Sequence, residues 1–254
     1  EQAVRDVKAQ NPMAGSITNS VTVNFVANAQ LAVGGSAAMV YLPDEGEFLA
    51  AAGNAVYLNT GTLLPIHAES IPATAQAVQK AGKICVLDPV GIGIGAVRTG
   101  ILTKLKDCKP GVIRGNASEI IALASLWHQQ YARRRLHRRG LGRQGRRRGA
   151  CPVDRRCRCS LGRGRPCDRR EGGCPLLRRL PLHGQGDGLR LLSGRRGGSP
   201  FIAALAATAV YNLAGQRAER RVTAPGSFQV RFLDELYLAT PEEIAQNPFT
   251  LETL

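Results

Sequence analysis

The chain has 254 residues, 44% of them hydrophobic and 5% aromatic, with a formal net charge of +15. That length suits one large α/β domain or two small ones, and the absence of an apolar run of about 18 residues or of a signal-peptide core argues against a spanning or exported chain and for a soluble, cytoplasmic one without membrane partners. The charge is uneven: residues 131–200 hold 21 arginines, no lysine and four acids (Asp154, Asp168, Glu171, Asp187), whereas the remainder carries 13 basic and 15 acidic residues. Glu1 in place of a methionine is expected of a fragment or a processed chain.

In chain order, residues 1–15 are polar and read as helix or linker, and Ser16 to Ser20 as a turn-like start. Val21, Phe25, Ala29, Ala32 and Val33 fall on one face of a helix over 21–33, which Gly34 and Gly35 stop. Ala37 to Tyr41 reads as a short buried strand followed by an acidic loop with Asp44, Glu45 and Glu47. Ala55 to Asn59 is the next strand, and residues 68–81 form an amphipathic helix with Ile71, Ala75, Val78 and Ala81 on one side. Lys83 to Asp88 is a buried strand, Arg98 to Leu105 a helix, and Gly111 to Arg114 a strand again. Beyond 200, Phe201 to Leu213 is an apolar helix ended by Gly215, Pro225 to Ser227 a turn, and Phe228 to Leu238 a helix. Thr240 caps a last short helix with Pro241 at its first position. Strands alternating with helices specify a mostly parallel sheet covered on both faces. Ligands of such sheets sit beyond the carboxyl ends of the strands, where Asn59, Asp88 and Arg114 lie.

Two stretches there carry chemistry. In Arg114-Gly115-Asn116-Ala117-Ser118-Glu119 a strand passes through a glycine turn into a helix start. Asn116 and Ser118 are capping residues, and an acid in the first turn suits the helix dipole. The stretch reads either as a capped helix alone or as half of a phosphate and magnesium site. Upstream, Val86 to Gly93 ends a buried strand in Asp88 and a glycine-rich loop. Asp88 and Glu119 then supply the one or two carboxylates that magnesium takes alongside phosphates and water, and Arg114 offers phosphate a forked donor. Gly91-Ile92-Gly93-Ile94-Gly95 is a weak phosphate-loop signal by itself, and Met39 in an apolar strand equally fits plain core.

Several stretches resemble the hydroxyethylthiazole kinase family. These are Ser16 to Asn28 (SITNSVTVNFVAN), Gly34 to Met39 (GGSAAM), Leu58 to Thr62 (LNTGT), Leu87 to Gly91 (LDPVG), Val112 to Glu119 (VIRGNASE), Pro225 to Phe228 (PGSF) and Leu233 to Tyr237 (LDELY). The match covers roughly residues 11–126 and 200–245. The resemblance implies a ribokinase-like α/β fold as a single domain. It implies transfer of the γ-phosphoryl of ATP to the alcohol of 4-methyl-5-(2-hydroxyethyl)thiazole in thiamine salvage, with Mg2+, by a homotrimer whose active sites lie at subunit interfaces. Carried over by position, Met39 and Asn19 would contact the thiazole and Arg114 and Asn116 the ATP. Asp88 and Glu119 would serve the magnesium.

The family pattern breaks in the arginine-rich segment. A Ser/Thr-Gly-Glu turn and a Val-Thr-Gly-x-Gly-Cys loop are absent, and with the loop goes the family's catalytic cysteine. Back-translating Leu180 to Leu192 and reading one base later permits S-P-F-T-A-K-V-T-G-C-G-C. The same shift over Ser160 to Glu171 permits L-S-G-E-V-D-L-V-T-D-G. Both missing motifs thus lie in one displaced frame, and residues 127–199 are expected to be out of frame, with the frame restored near Pro200. Such a segment has like charges and no apolar periodicity, so disorder, a sheet lacking its later strands, low stability and little kinase activity are expected. The rival is a non-catalytic remnant whose basic arm 131–200 binds nucleic acid non-specifically. Cys151, Cys157, Cys159, Cys167 and Cys174 contain no C-x-x-C pair and fit no standard zinc spacing.

Overall fold

The computed structural model describes residues 1–139, 158–161 and 200–246. Nine helices and six strands occur among them: α1 (Gln2–Gln10), β1 (Met13–Ile17), α2 (Val23–Ala32), β2 (Ser36–Met39), α3 (Pro43–Ala52), β3 (Ala55–Asn59), α4 (His67–Lys80), β4 (Ile84–Asp88), α5 (Ala96–Leu105), β5 (Val112–Asn116), α6 (Ala117–Arg139), β6 (Arg158–Leu161), α7 (Pro200–Glu219), α8 (Pro225–Leu238) and α9 (Pro241–Ala245). The strands form one parallel sheet in the order β2-β1-β3-β4-β5-β6.

Side chains alternate between the two faces of each strand. Ala14, Tyr57, Val86 and Val112 meet α1, α2, α7 and α8 in one core, which contains Phe25, Val210, Phe228 and Phe232. Ile17, Leu58 and Leu87 meet α3 to α6 in the other, with Ile71, Leu102 and Leu123. The doubly covered α/β sheet is therefore the expected fold class.

Five local readings are corrected. β1 was read as linker and turn because Ala14, Gly15 and Ser16 give no apolar run; it is a strand because both its edges pair, with β2 and with β3. Gly15 is required there by packing, since a Cβ would stand 2.8 Å from Leu49 Cδ1. The expected acidic loop is helix α3. Pro43 starts it, and Glu45 accepts from the backbone N–H groups of Tyr41 (3.3 Å) and Leu42 (3.2 Å), which stabilises a helix N-terminus. Gly215 does not end α7, which continues to Glu219 because Ala214 and Ala218 are packed in the core. Pro225 to Ser227 is the first turn of α8, not a separate turn. Finally, α6 runs on to Arg139 and β6 pairs in parallel with β5, so the sheet keeps a sixth strand. Alanine, leucine, glutamine and arginine are strong helix formers, and strand pairing uses only backbone groups. The rest of the segment expected to be out of frame and disordered lies outside the described residues, as do the cysteines Cys151, Cys157, Cys167 and Cys174.

Candidate active site at the carboxyl ends of the strands

The chain places β2 on one side of β1 and β3 on the other, so the strand order reverses between β1 and β3. Such a switch point opens a crevice outside the carboxyl ends, because the two following loops diverge to opposite sides. Asn19, in the loop after β1, and Asn59, the last residue of β3, meet there: Asn19 Nδ2 donates to Asn59 Oδ1 at 3.3 Å. Asn19 also accepts from the Thr22 backbone N–H and hydroxyl, both at 3.1 Å, which ties it to the entry of α2.

The pleat then carries the array across the sheet. Tyr57 points to the face of α2, α7 and α8; two residues on, Asn59 does the same. Asp88 follows Val86 and Arg114 follows Val112 by the same step, and Asn59 lies directly opposite Asp88 in the register. The side chains converge on one oxygen. Asp88 Oδ2 accepts from Tyr57 Oη at 2.9 Å, Asn59 Nδ2 at 3.1 Å and Arg114 Nη1 at 2.8 Å. Asp88 is fully buried and Arg114 is 6% exposed. A charged pair this deep survives because each partner neutralises the other and Tyr57 and Asn59 add hydrogen bonds to the carboxylate.

Arg114 to Glu119 does what its local chemistry dictates. Asn116 Oδ1 accepts from Glu119 N (2.9 Å) and Ser118 Oγ (2.6 Å), while Glu119 Oε2 accepts from Asn116 N (2.8 Å). This reciprocal pair is a capping box that starts α6. Gly115 does not form the tight turn expected of it but belongs to β5, with no positive φ. It leaves room for the acid instead: a Cβ there would lie 3.1 Å from Glu119 Oε2. Met39 ends β2, partly buried against the first core and paired in register with Ser16.

Two carboxylates, Asp88 at the end of β4 and Glu119 in the first turn of α6 after the adjacent strand β5, each have one oxygen engaged by N–H or O–H donors. That number and chemistry fit Mg2+, which completes its shell with phosphate and water; no group of three or more His, Cys, Asp or Glu placed to hold a metal ion occurs among the described residues. Two grooves lie elsewhere: one of about 540 Å3 between α2 and α8 and one of about 430 Å3 along β2 and α3. None of the residues of the hydrogen-bonded array lines either.

Of the residues singled out in the sequence, the structure brings Asn19, Asn59, Asp88 and Arg114 into one hydrogen-bonded array and pairs Asn116 with Glu119, while Met39 packs at the end of β2. Tyr57, which joins the array, was not singled out. A tyrosine within an apolar strand carries no signal until its partner across the sheet is known. Nor was His67, buried at the start of α4, whose Nδ1 accepts from Leu64 N at 3.0 Å and whose ring stacks on Tyr41. Burial lowers the His67 pKa, which favours the neutral imidazole.

Known proteins resemble this chain in sequence and in overall fold. The hydroxyethylthiazole kinase family model matches residues 4–132. A hydroxyethylthiazole kinase of Bifidobacterium adolescentis is 38% identical over 96% of this chain and 91% of its own length. One from Cereibacter sphaeroides is 36% identical over 94% of this chain and 93% of its own. Among solved structures, hydroxyethylthiazole kinase from Pyrococcus horikoshii OT3 superposes with a TM-score of 0.74 at 26% identity, covering 96% of this chain and 95% of that one. These relatives lend no support to the nucleic-acid alternative. With the family's motifs falling on the strand ends of a matching fold, this chain belongs to the hydroxyethylthiazole kinase family.

Proposed function

We propose that the site transfers the γ-phosphoryl group of ATP to the primary alcohol of 4-methyl-5-(2-hydroxyethyl)thiazole, a salvage step of thiamine biosynthesis. The observation that carries this is the Asn59–Asp88–Arg114 array at the strand-order switch of a family-matching sheet. In the transfer, the acceptor oxygen bonds to the γ-phosphorus, the bond to the bridging oxygen of ADP breaks, and the hydroxyl proton of the alcohol is released to water. Little covalent chemistry is left to the protein, so positioning and charge neutralisation dominate. Arg114 presents its guanidinium to the ATP phosphates, and its bond to Asp88 fixes the fork in place. Asn116, at the head of α6, brings backbone and amide groups to the nucleotide. Met39 and Asn19 hold the thiazole at the switch point. Asp88 and Glu119 hold magnesium, which when bound neutralises phosphate charge.

The active assembly in this reading is a homotrimer in the cytoplasm. Edge strand β2 and the exposed Leu42 and Phe48 beside it, 47% and 67% accessible, favour burial against a second copy. No helix among the described residues is long and apolar enough to cross a membrane. Residues 1–254 form a single domain, interrupted at 127–199 by a segment read out of frame. The test is thiazole-dependent release of ADP from MgATP, by the chain as written and by a chain with the frame restored across codons 120–205. We expect the restored chain to be far the faster. If ADP release by the restored chain does not respond to thiazole, the assignment is wrong.

A further inference from the structure

The β4–α5 loop, Pro89 to Gly95, begins at Asp88 and contains three glycines in left-handed conformations, Gly91 (φ 69°), Gly93 (φ 91°) and Gly95 (φ 77°). Three such residues make the free loop costly to order. Its tip is exposed, with Ile94 67% accessible. Arg98, in the first turn of α5, bridges this loop to β3: Nε donates to the Thr60 carbonyl at 2.8 Å and Nη1 to the Ile94 carbonyl at 3.0 Å. The guanidinium lies against the backbone of Gly91, where a Cβ would stand 3.3 Å from Nε and 3.4 Å from Cζ. Thr60 passes the contact on: its N–H donates to the Asp88 carbonyl at 3.1 Å and its hydroxyl to the Val90 carbonyl at 3.0 Å.

We propose that Arg98 is a positioning residue of the nucleotide site, clamping the glycine-rich loop against the end of β3 and so holding Asp88, at the loop's root, in register with Asn59 and Arg114. This rests on the ATP-site reading above. A guanidinium suits the task because its planar fork reaches two carbonyls at once beside Gly91; an ammonium is a point charge that reaches one.

The experiment uses the full chain and its Arg98→Lys and Arg98→Ala variants. Amide hydrogen exchange follows residues 89–95, and calorimetry measures binding of MgADP and, separately, of the thiazole. We expect faster loop exchange and about tenfold weaker MgADP binding in Arg98→Ala, with only partial recovery in Arg98→Lys and thiazole affinity unchanged. The selective loss separates positioning from general damage, which would weaken both ligands. Equal weakening of both ligands, MgADP affinity matching the wild type in spite of a loosened loop, or full recovery by lysine would each overturn the role. A wild-type chain that takes up thiazole but no MgADP would instead remove the nucleotide-site reading, and the role with it.

Discussion

Replacing Asp88 by asparagine keeps the shape of the side chain and removes its charge. In the native site Asp88 Oδ2 takes hydrogen bonds from Tyr57, Asn59 and Arg114 at 2.9, 3.1 and 2.8 Å. Arg114 has only 6% of its surface in water and is ion-paired with that carboxylate at 2.8 Å. Breaking a buried pair from one side costs about 3–5 kcal/mol, because the remaining charge stays buried and uncompensated. Asparagine still offers one carbonyl oxygen, so the lower end, about 3 kcal/mol, is expected. With a urea slope of about 2 kcal/mol/M, the unfolding midpoint falls by about 1.5 M. The double variant Asp88→Asn/Arg114→Met removes both charges and should lose about 2 kcal/mol less than the two single changes together. Urea unfolding followed by circular dichroism reads all four proteins. An Asp88→Asn midpoint within about 0.2 M of the wild type, or strictly additive variants, would show that the pair does not hold the strand ends.

Other consequences are open to the same kind of measurement. Phe232 is fully buried and its ring lies 5.6–6.0 Å from those of Phe25, Tyr211 and Phe228, so Phe232→Ala should cost about 3–5 kcal/mol in urea unfolding; a loss under about 1 kcal/mol would mean the first core can collapse around the gap. Gly46 lets α3 approach α4 closely, since a Cβ there would overlap the Thr74 hydroxyl. Gly46→Ala should therefore destabilise in spite of alanine's better helix propensity, and a higher thermal midpoint would refute this close approach. Arg217, donating to the carboxylate, holds the Glu243 pKa at about 2 against an ordinary 4.5. The stability from this depressed pKa is complete above 4.5 and lost as pH falls toward 2, so Glu243→Gln should flatten the stability profile in that window. An unchanged acid limb would place the bond in the unfolded state as well. His67, depressed by burial from 6.5, adds an earlier loss that begins as pH falls below that value, and His67→Phe should remove it from the profile measured between pH 7 and 5.

The amino-acid sequence by itself determined the alternation of strands and helices and hence the parallel, doubly covered sheet. Tyr57, Leu58, Val86 and Leu87 are apolar without interruption because both faces of their strands are covered. It also determined the ends of β3 and β4, because Asn59 and Asp88 are polar residues that close apolar runs, whereas β5 runs on past Arg114 to Asn116. The capping box of Asn116 and Glu119 was legible for the same local reason: both partners lie within one turn. What the sequence left undecided is non-local. β1 has small residues and no periodic signal, and only pairing on both edges makes it a strand. The strand order β2-β1-β3 lies in no stretch of sequence, yet it is what brings Asn19 and Asn59 together. Tyr57 joins the site only because parallel register sets it beside Val86, one pleat step below Asp88. Arg98 becomes a clamp only where α5 folds back against the carbonyl of Thr60. Local chemistry named the groups, and long-range pairing, which no local pattern encodes, decided which of them meet.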